Sequence, residues 1–473
     1  MMEIPCGMQE QFLEAKELIE SSNDIKIYTH TDCDGICSGA ILSIILDRLN
    51  KDYEIEFVNL DEIEDLDLDH KLTIFSDLGS GQGVDKNAKD GQKILILDHH
   101  PPLRDINYKN DKAYTYLEIN PMFYGIDGSY YVCGGGLCYF LAKTFGFKDL
   151  SWIGVLSAIG DMQNNKTGHF EGLNEIIQED AINEGLLKVT KNDLNIYGRS
   201  TRPLYVALSY FSDVKLPTTN NQQEAKVVLE ELGVDEKHNR KTLSEVTEED
   251  KMEIKKFLSR MISKRVPPKY LKYVPKLIVG DAYTFLNEEE GSFLRDGSEF
   301  STAMNACGRN RKEAIGVDII KGDRLVALDA LEEVSKTHKY NLATSISKVA
   351  DNYHSEIIEL DNFQYFDCSD FDEDIASNII GTITGMVLGY CNWKKPILWF
   401  SKPKNYQIKV SLRCSKLLAY DGIHFGNMMR EIAKEVGGTG GGHAIACGAY
   451  IPNEKKSEFL DKFNRKLQGK IAN

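Results

Sequence analysis

Residues 25–46 carry the stretch IKIYTHTDCDGICSGAILSIIL, which decides the fold of the first third of the chain. IKIY at 25–28 predicts a buried strand, and ICSGAILSIIL at 36–46 predicts an apolar helix directly after it. Comparable apolar segments, interpreted as further strands, follow at 72–75 (LTIF), 94–97 (ILIL) and 152–160 (WIGVLSAIG). Short strands that alternate with helices are typical of an α/β domain with a mostly parallel sheet.

The size and composition of the chain indicate a multidomain globular protein. Its 473 residues are enough for two or three domains. Its 42% hydrophobic and 27% charged residues are ordinary for a soluble protein, and no segment approaches the roughly 18 apolar residues of a membrane helix. The amino terminus lacks the basic start and apolar core of a secretory signal. We therefore expect a cytoplasmic protein without a membrane span.

The pattern changes along the chain predict three regions. Residues 1–185 are predicted to form the α/β domain. Residues 186–290 are predicted to form a mostly helical connector, because they lack strand signals. Strands and helices alternate again in residues 291–473, which predicts a second, smaller α/β domain. This domain ends in a glycine-rich turn, a strand near residues 449–451 and an amphipathic helix from Asn453.

The charge of the chain restricts how it can bind nucleic acid. A net charge of −16 argues against nonspecific binding of nucleic acid, because such affinity comes largely from lysine and arginine. Any surface that binds nucleic acid must therefore be a local one. The densest basic stretch lies on a connector helix that Thr247 caps through Asp250. Its cations are Lys255, Lys256, Arg260, Lys264 and Arg265, followed by Lys269 and Lys272. This basic stretch is either a solvated helix face or a surface that guides a nucleic-acid strand.

The first polar signature, HTDCDG at 30–35, directly follows the first predicted strand. Alternate residues of an extended segment point the same way, so His30, Asp32 and Asp34 can face one cation cluster. Gly35 lets the backbone turn into the helix. The alternative is a helix cap formed by Asp34, with His30 on the surface.

Three more polar signatures follow the other apolar segments. They are Asp77 after LTIF, Asp98-His99-His100 after KILIL, and Asp161 after WIGVLSAIG. Taken singly, Asp77 and Asp161 could be turn formers. The carboxyl ends of parallel strands open onto one crevice, so the four signatures are predicted to converge there. Histidine and carboxylate ligands suit Mn²⁺, or Mg²⁺ with added waters.

Two segments near the carboxyl terminus are candidate phosphate-binding elements. The stretch GGTGGGH at 437–443 can offer backbone amides to an anion, and His443 can add a donor; the alternative is a tight turn with a packing histidine. In KVSLRCS, Arg413 has a planar fork that can bind phosphate bidentately. Arg295 and Arg309, in RDGSEFSTAMNACGR, are weaker candidates, because surface ion pairs explain most such arginines.

The motifs HTDCDG, SDLG, DHHP and IGDM, in this order, resemble those of the DHH phosphoesterase family. GGTGGGHAIACGA resembles the substrate-binding domain that accompanies them, and RDGSEFSTAMNACGR is similar to the archaeal RecJ-like nucleases, which include the GINS-associated nuclease. The resemblance covers nearly the whole chain. It implies a parallel-sheet DHH domain, a helical connector and a second α/β domain with a GGGH turn.

The same resemblance implies two divalent metal ions, with Mn²⁺ preferred and Mg²⁺ as the other candidate. One ion would be held by His30, Asp32 and Asp77. The other would be held by Asp34, Asp77, His99 and Asp161, so that Asp77 bridges the two. His100 would touch the scissile phosphate, and Asp98 would support the ligands. The implied substrate-binding residues are Ser411, Arg413, Gly440, Gly441, Gly442 and His443.

The implied activity is two-metal hydrolysis of phosphodiester bonds in single-stranded DNA or RNA, with a role in DNA replication and repair. A 5′ to 3′ exonuclease for single-stranded DNA is the first choice, and a GINS replisome complex is an implied partner. Alternatives are a 3′ to 5′ RNA, nanoRNA or short-nucleotide phosphodiesterase, and a noncatalytic replisome scaffold. The complete ligand set disfavours the scaffold, whereas activity on dinucleotides or on long strands separates the enzymes.

Overall fold

The computed structural model describes residues 2–60, 62–109, 113–234, 241–367, 379–404 and 406–471. The strands are β1 (Ile25–Thr29), β2 (Tyr53–Phe57), β3 (Leu72–Ser76), β4 (Lys93–Leu97), β5 (Thr115–Ile119), β6 (Leu187–Leu194), β7 (Val279–Phe285), β8 (Ile357–Glu359), β9 (Gln364–Asp367), β10 (Ile397–Phe400), β11 (Gln407–Arg413), β12 (Thr439–Gly442) and β13 (Ala446–Pro452). The helices are α1 (Cys6–Glu20), α2 (Cys33–Arg48), α3 (Gly134–Thr144), α4 (Ser151–Gly160), α5 (Leu173–Asn183), α6 (Leu204–Ser209), α7 (Gln222–Glu231), α8 (Glu248–Ser263), α9 (Val274–Ile278), α10 (Gly297–Arg309), α11 (Glu313–Ile320), α12 (Val326–Glu356), α13 (Ile380–Val387), α14 (Lys416–Tyr420), α15 (Phe425–Glu435) and α16 (Lys456–Leu467).

Internal contacts divide the chain into two compact units. Unit 1 comprises Met1–Asn192 and Asp281–Lys336, and unit 2 comprises Asp193–Gly280 and Thr337–Asn473. The boundaries expected after residues 185 and 290 remain a prediction about domains, and the contact units divide the chain elsewhere. In particular, residues 281–336 pack with unit 1, because Phe300 and Met304 of α10 are fully buried in its core.

The sheet of unit 1 confirms the predicted α/β fold. Its five strands are all parallel, in the order β2-β1-β3-β4-β5, and IKIY, LTIF and ILIL form β1, β3 and β4. The register pairs Thr29 with Ser76, Ser76 with Leu97, and Leu97 with Ile119. The strands therefore end level with one another, and the residue that follows each strand emerges at the same edge.

The segment WIGVLSAIG is a helix, so its interpretation as a strand was wrong. It lies within α4, which packs against α2, α3, α5 and α10. A short helix that is covered on most sides needs apolar residues all round, so it lacks the 3.6-residue periodicity of an amphipathic helix. Asp161 consequently follows a helix rather than a strand.

The sheet of unit 2 has six strands in the order β12-β13-β11-β10-β9-β8. The strand expected near residues 449–451 is β13, and the expected amphipathic helix is α16, which buries Phe459, Phe463 and Leu467. The glycine-rich stretch is not only a turn. Gly440, Gly441 and Gly442 lie in the edge strand β12, where backbone pairing with β13 holds them.

The connector region is largely helical, with α6 to α9, and α8 begins with the expected capping box between Thr247 and Asp250. The region also contains β6 and β7, which pair with each other and which the sequence analysis missed. β6 has the sequence LKVTKNDL, and its polar residues obscure the alternation that marks a strand.

Within the described ranges, bilayer-spanning helices are absent, since none combines sufficient length with a sufficiently apolar sequence. The strongly apolar helix α2 illustrates the point. Its 16 residues would reach only about 24 Å, short of a hydrocarbon layer about 30 Å thick.

Candidate metal centre

The loop between β1 and α2 folds His30 and Asp32 towards each other. Asp32, and not Asp34, is the N-cap of α2: its Oδ1 accepts a hydrogen bond of 3.1 Å from the Gly35 amide. The Nδ1 atom of His30 lies 3.1 Å from Asp32 Oδ2. A Cβ atom on Gly35 would lie 2.1 Å from the His30 carbonyl oxygen, so only glycine fits this turn. The alternative in which Asp34 caps the helix was therefore wrong.

Asp77 occupies a backbone conformation that few residues other than glycine adopt. Its φ is +59°, which aspartate tolerates better than most side chains do. Its Oδ1 lies 3.2 Å from His99 Nε2, and its Oδ2 lies 3.5 Å from His30 Nδ1. Within the described ranges, the buried Oδ2 atom accepts no hydrogen bond. A buried carboxylate oxygen in this condition fits a metal ligand, since an ion would satisfy it.

Asp98 is anchored by the backbone around it. It is fully buried, and it accepts hydrogen bonds from the amides of Ser80 (2.9 Å) and His99 (2.7 Å), and from His100 Nδ1 (2.8 Å). Burial alone would raise the pKa of Asp98, but the neighbouring His100 and these donors hold it well below its usual range. These donors hold both oxygens of Asp98 and connect it to His99 and His100, which suits the supporting role expected for it.

Hydrogen bonding selects the nitrogen of His99 that faces the cluster. Its Nδ1 donates to the Gly128 carbonyl at 2.7 Å, which leaves Nε2 as the acceptor atom. That Nε2 atom lies 3.2 Å from Asp77 Oδ1 and 3.5 Å from Asp34 Oδ2. A Cβ atom on Gly128 would lie 2.0 Å from the His99 carbonyl oxygen, so a side chain at that position would push the loop away.

Asp34 points into the start of α3. It accepts hydrogen bonds from the amides of Gly134 (2.8 Å) and Gly135 (2.7 Å), and from the Ser157 hydroxyl. A Cβ atom on Gly134 would lie 2.7 Å from Asp77 Cβ, and one on Gly135 would lie 2.1 Å from Ser157 Oγ. The sequence analysis missed these glycines, although three in succession at the start of a helix (Gly134–Gly136) are a usable signal.

Asp161 completes the cluster from the end of α4. Its Oδ2 accepts a hydrogen bond of 2.6 Å from Gln163 Nε2, which also donates to the Gly128 carbonyl at 2.8 Å. Gln163 thus ties Asp161 to the carbonyl group that orients His99. Asn120, fully buried after β5, similarly donates to the His100 carbonyl at 2.8 Å. Neither amide was identified from the sequence.

Together these residues form a buried group of potential metal ligands. Within each of two sets, ligand atoms lie no more than 4.8 Å apart: His30 with Asp32 and Asp77, and Asp34 with His99 and Asp161. Burial raises the pKa of Asp77 well above its usual range, and the charges of Asp34 and Asp32 raise it further. Divalent cations would offset this repulsion, so the donor set fits metal ions.

The segment RDGSEFSTAMNACGR contacts the first loop of the cluster. In α10, Asn305 Oδ1 accepts a hydrogen bond of 3.1 Å from the Cys33 amide. Arg295 donates to the Glu288 carbonyl and lies 3.8 Å from the Glu290 carboxylate, which is the ion-pair alternative. Arg309 ends α10 and is half-buried. Substrate binding by either arginine stays a prediction.

In unit 2, Arg413 lies at the end of β11 against two glycines of α13. A Cβ atom on Gly381 would lie 2.8 Å from the Arg413 guanidinium and 3.8 Å from Ser411 Oγ, and Gly385 lines the aliphatic part of the side chain. Burial lowers the pKa of Arg413. Among the described residues, no carboxylate lies within 4.0 Å of its guanidinium. A covered cation without an acidic partner fits an anion.

The glycine strand β12 lies beside α15. A Cβ atom on Gly426 would lie 1.8 Å from the Gly442 carbonyl oxygen, so the helix and strand are in backbone contact. The His443 amide donates to the Ala446 carbonyl at 2.9 Å and closes a tight hairpin. Arg430, which the sequence analysis missed, lies beside Gly441: a Cβ atom there would be 3.1 Å from its guanidinium.

Models of three protein families match the chain. They are the DHH family, N-terminal domain (residues 24–155), the DHH-CID domain (196–274) and the DHHA1 domain (361–469). An uncharacterised protein of Methanocaldococcus jannaschii, MJ0831, is 30% identical over 446 residues, which is 93% of this chain and 92% of that protein.

Two solved structures share the fold at low sequence identity. CDC45 from Entamoeba histolytica has a TM-score of 0.60 at 15% identity, over 98% of this chain and 99% of that one. RecJ from Thermus thermophilus, solved in complex with Mn²⁺, has a TM-score of 0.56 at 12% identity, over 99% of this chain and 55% of that one.

Proposed function

This chain belongs to the DHH phosphoesterase family, in its RecJ-like group, and from that premise we propose that it hydrolyses phosphodiester bonds in single-stranded nucleic acid. The observation that carries the proposal is the convergence of three imidazoles and five carboxylates, including that of Asp77, in one part of unit 1. The proposed ligands are His30, Asp32, Asp34, Asp77, His99 and Asp161.

When bound, two divalent ions would lower the pKa of a water molecule and neutralise charge on the phosphate. The chain supplies the arrangement that this chemistry needs. Asp77 faces His30 with one oxygen and His99 with the other, which suits it to bridge two ions. Mn²⁺ is the first choice and Mg²⁺ the second, and RecJ from Thermus thermophilus has been solved with each.

His100 is suited to meet the substrate. Asp98 fixes its Nδ1 atom at 2.8 Å, and the side chain is 43% exposed, so Nε2 is free to approach a phosphate oxygen. Arg413 would hold another part of the substrate phosphate through its planar fork. Ser411, on the same face of β11, and the amides of Gly440, Gly441 and Gly442 with His443 would assist.

We propose single-stranded DNA, cut from its 5′ end, as the first substrate, with RNA as the second. A RecJ structure bound to manganese is described as an exonuclease, and its fold matches with a TM-score of 0.51. A short-nucleotide phosphodiesterase is the second enzyme candidate. The likeness of fold to CDC45, which extends over almost all of both chains, is compatible with the noncatalytic scaffold as a further candidate. A GINS partner remains an expectation from the resemblance to archaeal RecJ-like nucleases.

End-labelled DNA and RNA of several lengths, digested with Mn²⁺ or Mg²⁺, test the proposal. We expect stepwise release of mononucleotides from the 5′ end of single-stranded DNA, and loss of that activity in Asp77→Asn. The matched control is Asp105→Asn, which alters an exposed aspartate whose side chain accepts the Asn107 amide. Absence of cleavage with every substrate and metal, together with binding to a GINS complex, would favour the scaffold.

A further inference from the structure

Among the described residues, the members of the proposed metal cluster differ in how exposed they are. The side chains of Asp34, Asp77, His99 and Asp161 are between 1% and 7% exposed. Those of His30 and Asp32 are 25% and 43% exposed, and His100 is the other accessible member. The accessible side of the cluster, as far as the described residues show, is therefore the one formed by His30, Asp32 and His100. A substrate that approaches this opening meets the residues that border it.

The end of α10 borders this opening. A Cβ atom on Gly308 would lie 1.7 Å from the Thr31 carbonyl oxygen and 3.6 Å from Asp32 Cα, so the two backbones are in direct contact. Asn305, one turn earlier in α10, accepts the hydrogen bond from the Cys33 amide. The position of the chain that follows Gly308 is thereby set by the metal-binding loop itself.

After Gly308 the chain forms a tight basic turn, residues 309–312, with the sequence RNRK. The Arg311 amide donates to the Gly308 carbonyl at 3.1 Å, and the Lys312 amide donates to the Cys307 carbonyl at 2.9 Å. Arg311 has a φ of +54°, in the left-handed region where glycine usually ends a helix. An arginine is a costly choice for this position unless its side chain has a use.

Of the three cations in the turn, Arg311 and Lys312 face solvent, and the nearby Glu313 carboxylate interacts with Arg311. Arg311 and Lys312 are exposed, and among the described residues no carboxylate lies within 4.0 Å of either. The chain as a whole carries a net charge of −16, so exposed positive charge at the edge of an acidic cluster is a local exception. Such a patch attracts and orients a polyanion near the opening.

We propose that Arg311 and Lys312 bind a phosphate of the substrate strand that neighbours the scissile one. The inference rests on the proposed function, in which the metal cluster takes the scissile phosphate. The turn lies outside the cluster and directly follows Gly308, which contacts the loop of His30 and Asp32, and this position suits the next phosphate along a nucleic-acid strand. Arg311 supplies a bidentate fork, and Lys312 adds a point charge.

The test uses three dinucleotides that differ only in their end groups: NpN, which has only the scissile phosphate, pNpN and NpNp. KM and kcat are measured for the wild type and for Arg311→Gln/Lys312→Gln. We expect KM to rise at least about tenfold for one of the two end-phosphorylated dinucleotides, with unchanged KM for NpN and unchanged kcat, as for loss of a charged hydrogen bond. The responding end identifies which neighbouring phosphate is bound.

The control is Lys148→Gln/Lys188→Gln, which removes the same charge from two exposed lysines of unit 1. An equal rise in KM for all three dinucleotides, or no rise for any, would overturn the inference. Calorimetric binding of the same dinucleotides in Ca²⁺ separates this result from failure of the proposed function. If the wild type cleaves none of the dinucleotides, tighter binding of an end-phosphorylated dinucleotide that is lost in Arg311→Gln/Lys312→Gln would still support the inference. If the end phosphate does not tighten binding in this way, the inference is wrong.

Discussion

The candidate metal centre of unit 1 buries carboxylates, whereas unit 2 holds the half-buried cation of Arg413, and the two sites are supported in different ways. In unit 1, backbone groups orient the carboxylates and imidazoles: Asp34 by the start of α3, Asp98 by two amides, and His99 by the Gly128 carbonyl. In unit 2, two glycines of α13 pack against Arg413. Its guanidinium donates to the adjacent Leu412 carbonyl at 2.8 Å, and among the described residues no carboxylate lies within 4.0 Å of it.

This contrast indicates different demands on the two sites. Metal ligation tolerates little error in geometry, so each ligand needs a second partner that orients it. If Arg413 binds a substrate phosphate, its guanidinium needs donors that no neighbouring carboxylate occupies more than it needs a fixed orientation. The first site should therefore be sensitive to small changes in packing, and the second to loss of charge.

The largest effect is expected from Asp77→Asn. Asparagine tolerates the left-handed backbone but cannot bridge two cations, so kcat/KM with Mn²⁺ should fall at least about a thousandfold, roughly 4 kcal/mol. Without metal the variant should melt at a higher temperature than the wild type, because a buried carboxylate repelled by Asp34 and Asp32 is removed. Thermal melts with and without Mn²⁺ measure this. Near-normal activity would mean that Asp77 is not a ligand.

The second effect tests the rigid support of unit 1. Gly135→Ala would push α3 away from Ser157 and Asp34, so unfolding free energy should fall by about 1–3 kcal/mol and kcat by about a hundredfold. The control is Gly81→Ala, where the added carbon meets its neighbour at an ordinary 3.5 Å. If Gly135→Ala retained full kcat, the orientation of Asp34 by α3 would not matter for turnover.

The third effect tests the charge of unit 2. Arg413→Ala and His443→Ala should each raise KM or lower kcat by about 1–3 kcal/mol, as for a lost charge-assisted hydrogen bond. Mn²⁺ affinity, measured by calorimetry, should not change. Arg465→Gln, at an exposed arginine of α16, is the control. A large loss of Mn²⁺ affinity in His443→Ala would make this histidine a ligand and would erase the contrast between the sites.

The smallest effect concerns the basic face of α8. Reversing Lys255, Lys256 and Arg260 should weaken the binding of long strands by on the order of 0.5–1 kcal/mol and should reduce its salt dependence, with little change for dinucleotides. The control reverses three exposed lysines of the same unit, Lys402, Lys404 and Lys434. If the binding of long strands and of dinucleotides changed equally, the basic face of α8 would be a solvated helix face and would not guide a nucleic-acid strand.

Much of the first site could be predicted from the sequence because each motif follows an apolar strand. HTDCDG, Asp77 and DHH emerge after β1, β3 and β4, whose last residues are paired in the sheet. Asp161 was predicted for a partly wrong reason, since it follows a helix. The segment RDGSEFSTAMNACGR was expected in the carboxy-terminal domain, yet α10 contacts the loop of His30 and Asp32. No local pattern reports such a contact across 270 residues or more.

The sequence by itself determined the chemistry of this protein, because residue types and their spacing after strands specify imidazole and carboxylate donors at one sheet edge. Only the tertiary structure decided which atoms face inward. Asp32 rather than Asp34 caps α2, and the Gly128 carbonyl selects the free nitrogen of His99. The α3 glycines and Gln163 hold the remaining carboxylates. The contacts of the Gly128 carbonyl with His99 and of the Gly135 amide with Asp34 join groups distant in the chain, and backbone groups carry no side-chain signal in the sequence.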